Sequence, residues 1–194
     1  KPCELPVDKH LSFKPPIKIG FFGQFRNEKN LGFFLEAFTK AKFSVPVELI
    51  VQGATAKPED GELFEQFARE YKDYANITFW HKNLIGVEWQ KALLGVDAIM
   101  MPYAAERYRY HWGAMLFTAI GFYKPVLQSP ELNPEVLQHF NVGKAIDLSS
   151  VEAFSRQLEE FIEDLVKNTA VYQQGLDEAN NVYGQDKLIQ GILR

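Results

Sequence analysis

Six short apolar runs, set apart by segments with helical spacing, constrain the fold of this chain more than any other feature. IKIGFF (17–22), PVELIVQ (46–52), NITFWH (76–81), DAIMMP (97–102), KPVLQ (124–128) and KAIDL (144–148) read as strands. Most are too uniformly apolar to be half-exposed hairpin strands, which alternate polar and apolar residues, so they are predicted to be buried parallel strands. After the first run, Leu31, Phe34, Leu35 and Phe38 recur at helical spacing, and after the second Leu63, Phe64, Phe67, Ala68 and Tyr71 do the same. Each strand is thus followed by a crossover helix. Ser149 and Glu152 form a capping-box pattern that predicts a helix carrying Val151, Phe154, Leu158, Ile162 and Leu165 inward. From about Ala170 a last, largely polar helix is predicted, with Tyr172, Leu176, Ala179 and Tyr183 as its apolar line. It lies across a surface or packs on something outside the sequence. Repeated strand and helix units predict an α/β fold: a doubly wound parallel sheet of about six strands with helices on both faces. Such sheets bind ligands beyond the carboxyl ends of their strands, near the point where strand order reverses.

With 46% hydrophobic and 24% charged residues, the 194-residue sequence is ordinary for one soluble, well-cored domain. The opening sixteen residues hold four prolines and no clear period, so 1–16 reads as a linker or N-terminal arm, 17–168 as the domain proper and 169–194 as a C-terminal helical tail. The first residue is Lys1 rather than methionine, which reads as a fragment or a processed product. A formal net charge of -4 gives no general attraction to polyanions, so a nucleic-acid polymer is not an expected partner although Arg107 and Arg109 sit among aromatics. A small phosphorylated ligand stays open. Cys3 is the only cysteine and cannot form an internal disulfide, which fits a reducing compartment, and the cytoplasm is expected. No signal-peptide pattern is visible, and no apolar run approaches the roughly 20 residues needed to span a bilayer.

The loops after the strands carry the chemistry. The first strand ends at Phe22-Gly23, and Gln24 to Asn30 lead directly into a helix. A glycine there admits an anion to the backbone, the helix start supplies free amide donors, and Arg26 and Lys29 add charge suited to a diphosphate. A tight turn with solvated basic residues is the plainer reading. The second strand ends in Gly53 and ATAKPEDGE, one rim of a cleft or simple surface. The third leads into His81-Lys82-Asn83-Leu84, whose backbone could contact a nucleotide base, while the His81 side chain reads as structural. The fourth ends at Pro102 and offers Tyr103, Glu106, Arg107, Tyr108, Arg109, Tyr110, His111 and Trp112 ahead of the helix GAMLFTAIGF (113–122). That helix is apolar nearly all round, so it is predicted to be buried with its N-terminus aimed at the cleft. Arg109 and His111 suit a phosphate, Trp112 or a tyrosine suits a base or a sugar ring, and Gly113 permits close approach. The same aromatics would equally make a domain interface, with the arginines paired to Glu106. Thr118 is placed to reach a ribose hydroxyl or, as threonines in helices usually do, to bond back to the Ala114 carbonyl. His10, His81, His111 and His139 lack ligand spacing and no cysteine cluster exists, so no metal is predicted. No serine sits in a nucleophile-elbow pattern either.

Taken together, these residues resemble the C-terminal, nucleotide-sugar-binding domain of GT-B fold glycosyltransferases, particularly glycosyltransferase family 4, the glycosyl transferases group 1. The likeness runs from about Ile17 to Leu165. GFFGQFRNEKNLGFFLEAF looks like the family's glycine, arginine and lysine segment with its helix, VELIVQG its second strand, and NITFWHKNL its third with the base-contacting loop. DAIMMPY through KPVLQSPELNPEVL is similar to the donor-site core, and NVGKAIDLSSVEAFSRQLEEFI to the closing strand and helix. The family's first arginine falls on Gln24 here, its lysine on Lys29, and its glutamate pair on Tyr110 and Thr118. Some relatives lack that pair too, but their small residues at the helix start are replaced by His111 and Trp112.

The resemblance implies a Rossmann-like domain, one half of a GT-B fold, and transfer of a sugar from a nucleotide-diphosphate donor to an acceptor hydroxyl without metal or other cofactor. It implies diphosphate contacts from Gly23, Gln24, Arg26, Lys29, Arg109, His111 and Gly113. Base or ribose contacts would come from Lys82, Asn83, Leu84, Tyr110 and Thr118, and sugar stacking from Tyr103 and Trp112. No catalytic residue is assigned, because the general base belongs to an N-terminal acceptor-binding domain missing from this sequence, and the chain is expected to be inactive alone. Glycan or polysaccharide biosynthesis follows, in the cytoplasm at the inner face of the membrane, with peripheral association through the missing domain. The substituted positions support an alternative, a non-catalytic relative acting as an interaction module. A sugar-phosphate epimerase of similar architecture ranks last, since few acidic or histidine residues stand at strand ends.

Overall fold

The structure, a computed structural model, describes residues 5–104, 108 and 113–184. Its strands are β1 (Ile17–Phe21), β2 (Val47–Gly53), β3 (Ile77–His81), β4 (Ala98–Met101), β5 (Val126–Gln128) and β6 (Gly143–Ala145). The helices are α1 (Leu31–Lys40), α2 (Pro58–Glu70), α3 (Gly86–Leu94), α4 (Ala114–Gly121), α5 (Pro134–His139), α6 (Val151–Lys167) and α7 (Thr169–Tyr183). All five neighbouring strand pairs are parallel, and the strands lie in the order β3-β2-β1-β4-β5-β6. This is the doubly wound, Rossmann-like sheet that the apolar runs predict.

Burial explains why those runs lack alternation. Ile17, Ile19, Leu49, Val51, Ala98, Ile99, Met100, Met101 and Val126 are all buried, because helices cover both faces of the central strands. The α1 and α6 helices pack together through Phe33 and Phe34, each with its ring centroid 5.8 Å from that of Phe154. At the opposite end from the loops discussed below, the Asp97 carboxylate accepts the Lys18 amide at 2.7 Å while its own amide donates to the Lys18 carbonyl at 2.6 Å.

Three details differ from the sequence reading. The last strand covers only Gly143–Ala145 rather than the whole of KAIDL, although the Ile146 amide still donates to the Gln128 carbonyl at 2.7 Å. The cap of α6 is Ser150, whose Oγ accepts the Ala153 amide at 3.0 Å. Ser149 instead gives its amide to the Asp147 carboxylate and Glu152 pairs with Lys40, so no capping box closes. Nor is α4 buried all round: Leu116, Ala119 and Ile120 face the core, while Ala114 and Gly121 are exposed.

The polar last helix finds its partner within the chain. Tyr172, Leu176 and Ala179 are buried, and α7 packs on α4 and α6. The Asn180 side chain donates to the Ile120 carbonyl at 2.8 Å, and Tyr183 meets the rings of Phe117 and Phe140 at 5.0 and 5.8 Å. The Tyr172 hydroxyl donates to the Asp164 carboxylate, and burial together with that carboxylate holds its phenol well above the ordinary pKa. Residues of the N-terminal arm are tied to the same helix: the Leu11 amide donates to Gln173 Oε1 and the Gln173 amide to the Lys9 carbonyl, each at 2.8 Å. Among the described residues, no helix is long and apolar enough to cross a membrane.

Gly175 allows α7 to come this close, since a Cβ there would stand 2.3 Å from the Asn141 carbonyl oxygen. Gly121 faces open space. Gly175→Ala is therefore expected to destabilise the domain by about 1–3 kcal/mol through overpacking, whereas Gly121→Ala gains about 0.5–1 kcal/mol by restricting the unfolded chain. Thermal or urea melts of the two variants check the contrast, and equal effects would contradict it.

Candidate functional site

The crossovers leave β1 toward β2 on one side and leave β4 toward β5 on the other, so the carboxyl ends of β1 and β4 flank a crevice. Gly23 turns the chain immediately after β1 with φ 111°, a left-handed conformation that L side chains rarely adopt. The turn is then stitched to the loop after β2: the Ala54 amide donates to the Gly23 carbonyl at 3.1 Å and the Phe25 amide to the Ala54 carbonyl at 2.7 Å. Lys29 closes the short 3-10 turn Asn27–Lys29, and its ammonium lies 3.3 Å from the Phe22 carbonyl and 4.9 Å from the centre of the Tyr103 ring. A Cβ on Gly23 would sit 3.1 Å from Lys29 Nζ. Glycine at this position thus serves both the backbone and the placement of the lysine.

Beside this turn lies an open cleft of about 700 Å³ over the carboxyl ends of β1, β2 and β3. Gly23 and Gln24 line one end, Lys82, Asn83, Leu84 and Ile85 the other, with Thr55, His81 and Trp89 also on its walls. The sequence reading therefore brings five of its candidates, Gly23, Gln24, Lys82, Asn83 and Leu84, to one cavity. Lys82 also lies 5.4 Å over the Trp80 ring, and Leu84 is buried.

The two ends of the cleft are joined by a residue that the sequence reading passed over. Gln52, the penultimate residue of β2, is only 1% exposed; its Oε1 accepts the Gly23 amide at 2.9 Å and its Nε2 donates to the Lys82 carbonyl at 2.6 Å. A glutamine directly after the apolar run Leu49-Ile50-Val51 was the available signal, because a buried amide must find partners. The Gly23 amide is consequently occupied by Gln52 and is not an open donor for an anion.

Other candidates are corrected by their surroundings. The Arg26 guanidinium lies 3.3 Å from Gln24 Oε1 and 3.7 Å from Glu28 Oε1, and it lines a neighbouring cavity with Ala56, Lys57 and Asp60 rather than the cleft. The Gly113 amide donates to Asn133 Oδ1 at 2.9 Å, so it is capped rather than open, and a Cβ there would stand 2.7 Å from that same oxygen. The Thr118 hydroxyl donates to the Ala114 carbonyl at 2.8 Å, the local bond rather than a ribose contact. Tyr103 does not offer a face to a sugar: it is 6% exposed, lies under Lys29 and packs on Tyr108 at 4.9 Å. That burial, with Tyr108 adjacent, pushes the Tyr103 phenol well above its ordinary pKa. Arg109, Tyr110, His111 and Trp112, with Glu106 and Arg107, lie outside the described residues.

His81 is held on both sides, as a structural histidine would be. Its Nδ1 meets the Glu65 carboxylate, its Nε2 lies 2.9 Å from Thr55 Oγ1, and its ring packs 4.9 Å from Phe64. No sequence pattern joins these three polar residues, which come from β3, α2 and the loop between β2 and α2. Among the described residues, no group of three or more His, Cys, Asp or Glu side chains gathers where it could hold a metal ion.

Comparison with known proteins identifies the family and supports the fold. The model of the family described as glycosyl transferases group 1 matches residues 16–164. The fold is similar to the C-terminal domain of a glycosyl transferase group 1 family protein from Francisella tularensis, with a TM-score of 0.67 at 17% identity over 88% of this chain and 87% of that one. It is similar to Anabaena HepE, solved in complex with UDP, with a TM-score of 0.72 at 14% identity over 91% of this chain and 47% of that one. The catalytic domain of the cholesterol-alpha-glucosyltransferase of Helicobacter pylori gives a TM-score of 0.61 at 17% identity, over 86% of this chain and 98% of that one. The chain thus spans less than half the length of the Anabaena protein. No curated protein matches the sequence.

Gln52→Leu removes the partner of a buried-side amide and of a carbonyl at once, and is expected to cost about 1–3 kcal/mol of stability. Urea unfolding measures the loss, and faster hydrogen exchange at the Gly23 amide locates it. An unchanged midpoint together with unchanged exchange at Gly23 would show that Gln52 does not hold the cleft.

Proposed function

Because the chain belongs to the glycosyl transferases group 1 family, we propose that it forms the donor-binding half of a glycosyltransferase and takes a nucleoside diphosphate sugar in the cleft beyond β1, β2 and β3. The observation that carries this reading is the Lys29 ammonium beside the Gly23 turn, at the point where strand order reverses and next to an open cleft of about 700 Å³. The complex of Anabaena HepE with UDP supports a nucleoside diphosphate as the ligand class. The diphosphate lies at the Gly23, Gln24 and Lys29 end, and the base lies toward Lys82, Asn83 and Leu84.

In the proposed reaction an acceptor hydroxyl oxygen bonds to the anomeric carbon, and the bond from that carbon to the diphosphate oxygen breaks. The hydroxyl proton goes to a base on an acceptor-binding domain beyond this chain. The diphosphate leaves with added negative charge, and this chain's task is to stabilise it. Lys29 is the first candidate, Arg26 the second, and Arg109 and His111 complete the set in the segment before α4. No metal is needed in this scheme because these cations do its work. Residues 17–168 would make up the donor-binding unit, with the arm before it and the helical tail after it. The complete enzyme would act in glycan assembly at the cytoplasmic face of a membrane.

Calorimetry of the chain with UDP, GDP and dTDP tests the reading. Lys29→Ala is expected to weaken the binding of whichever diphosphate binds by about 1.5–3 kcal/mol, the range for a lost charged hydrogen bond, with Lys29→Arg retaining part of it. If none of the three diphosphates binds to this chain or to the full-length enzyme, the donor-site reading is wrong.

A further inference from the structure

With the His81 ring neutral, the row Glu65, His81 and Thr55 has one polarity. A carboxylate only accepts hydrogen bonds, so the His81 Nδ1 that meets Glu65 carries a hydrogen. In the neutral ring the other nitrogen is then bare. At 2.9 Å from Thr55 Oγ1, His81 Nε2 takes the hydroxyl hydrogen. Thr55 Oγ1 is left with lone pairs only, on a residue that lines the cleft. The ring is in turn fixed by Phe64, fully buried on α2, which packs 4.9 Å from His81, 5.3 Å from Phe25 and 5.9 Å from Phe79. Thr55 is therefore a hydrogen-bond acceptor set in place by elements from three parts of the chain.

Its position indicates what it accepts from. Thr55 and His81 share the cavity with Lys82, Asn83, Leu84 and Ile85, the part of the cleft proposed above for the base. Ile85 presents a 71% exposed side chain there and Trp89 a ring edge-on to Phe22. Apolar surface next to one oriented acceptor suits a flat heteroaromatic ring with a hydrogen on its ring nitrogen. We propose that Thr55 is a specificity-determining residue of the donor cleft, oriented by His81 and Glu65, and that it selects bases with an imino N–H, as in uracil, thymine and guanine, over cytosine and adenine. This rests on the donor-site reading and adds the choice of base to it. A bare ring nitrogen would bring its lone pair against the lone pairs of Thr55, and a site built around a hydrogen bond rejects analogues that lack the donor far better than a merely apolar site does.

Calorimetry on the whole chain tests this with two pairs, UDP against CDP and GDP against ADP, whose bases within each pair share a ring system and differ in the ring N–H and in exocyclic groups. The wild type is expected to favour the imino member of the pair it binds by about tenfold or more. Thr55→Val is expected to bring that ratio close to one, and Thr55→Ser, which keeps the hydroxyl, to preserve it. His81→Phe keeps a ring against Phe64 but removes Nε2, so it lowers the ratio, and adding Thr55→Val to it lowers the ratio no further. A purely structural row would weaken both members equally in Thr55→Val, and that result, or an unchanged ratio, overturns the proposal while leaving the donor site intact. A wild type that prefers CDP or ADP overturns it as well. Binding of none of the four, with dTDP also silent, overturns the donor-site reading and this proposal with it.

Discussion

The parallel pairing of β1 with β4, Ile19 against Ala98 and Gly20 against Ile99, is the joint on which the rest of the structure depends. These strands are far apart in sequence, and everything between them must cross over the sheet to return parallel. From this joint the chain builds outward in one direction to β3 and in the other to β6, so the loops leaving β1 and β4 diverge. Their divergence opens the crevice, and the burial of both strands on both faces leaves no tolerance for polar residues except at the strand ends. The position of the site and the apolar character of the strands therefore have one cause.

At those ends the polar groups are arranged by partners rather than by exposure. The Gly23 amide and the Lys82 carbonyl belong to different loops, and buried Gln52 satisfies both. The Gly113 amide, at the start of α4, is satisfied by Asn133. Backbone amides that might have received a phosphate are thus committed to holding the loops, and the charge that remains near the turn is on Lys29. The Lys29 ammonium stands over the Tyr103 ring, a cation–π contact that helps to hold it at the turn. Arg26, paired with Gln24 and Glu28 in water, gains little from that pairing and is the more easily redirected cation.

Most of the fold was legible because burial on two faces imposes its own pattern. IKIGFF, VELIVQG and DAIMMP could only be interior strands, and all three are. The helix ends were less legible: Ser149 and Glu152 match the capping-box spacing, but Asp147 takes the Ser149 amide and passes the cap to Ser150. The tail was left between two readings, across a surface or against something outside the sequence, and it takes the first by packing on α4 and α6. Its apolar line is thin, yet Gly175 lets the helix approach so closely that Tyr172, Leu176 and Ala179 suffice to bury it. Around the cleft, the positions of Gly23 and Lys29 in the loop after β1 were legible from the strand, glycine and helix order, and that of 82–84 from its place after β3. Tyr103 was misread, and Thr118 left between a ribose and the Ala114 carbonyl, because a sequence lists the groups a loop carries but not the neighbours that claim them.

Alone, the sequence determined that this chain makes a parallel sheet with its crossover helices, and that any site lies at the carboxyl ends of the strands. It did so because hydrophobic periodicity records which faces are buried, and buried faces dictate how helices and strands can be layered. Only the tertiary structure decided which polar groups at those ends are spent and which are offered. Gln52 occupies the Gly23 amide, Asn133 the Gly113 amide, and Glu65 and Thr55 take the two ring nitrogens of His81. Hydrogen-bond partners from distant segments have no periodicity to betray them, so their pairing exists only once the chain has folded.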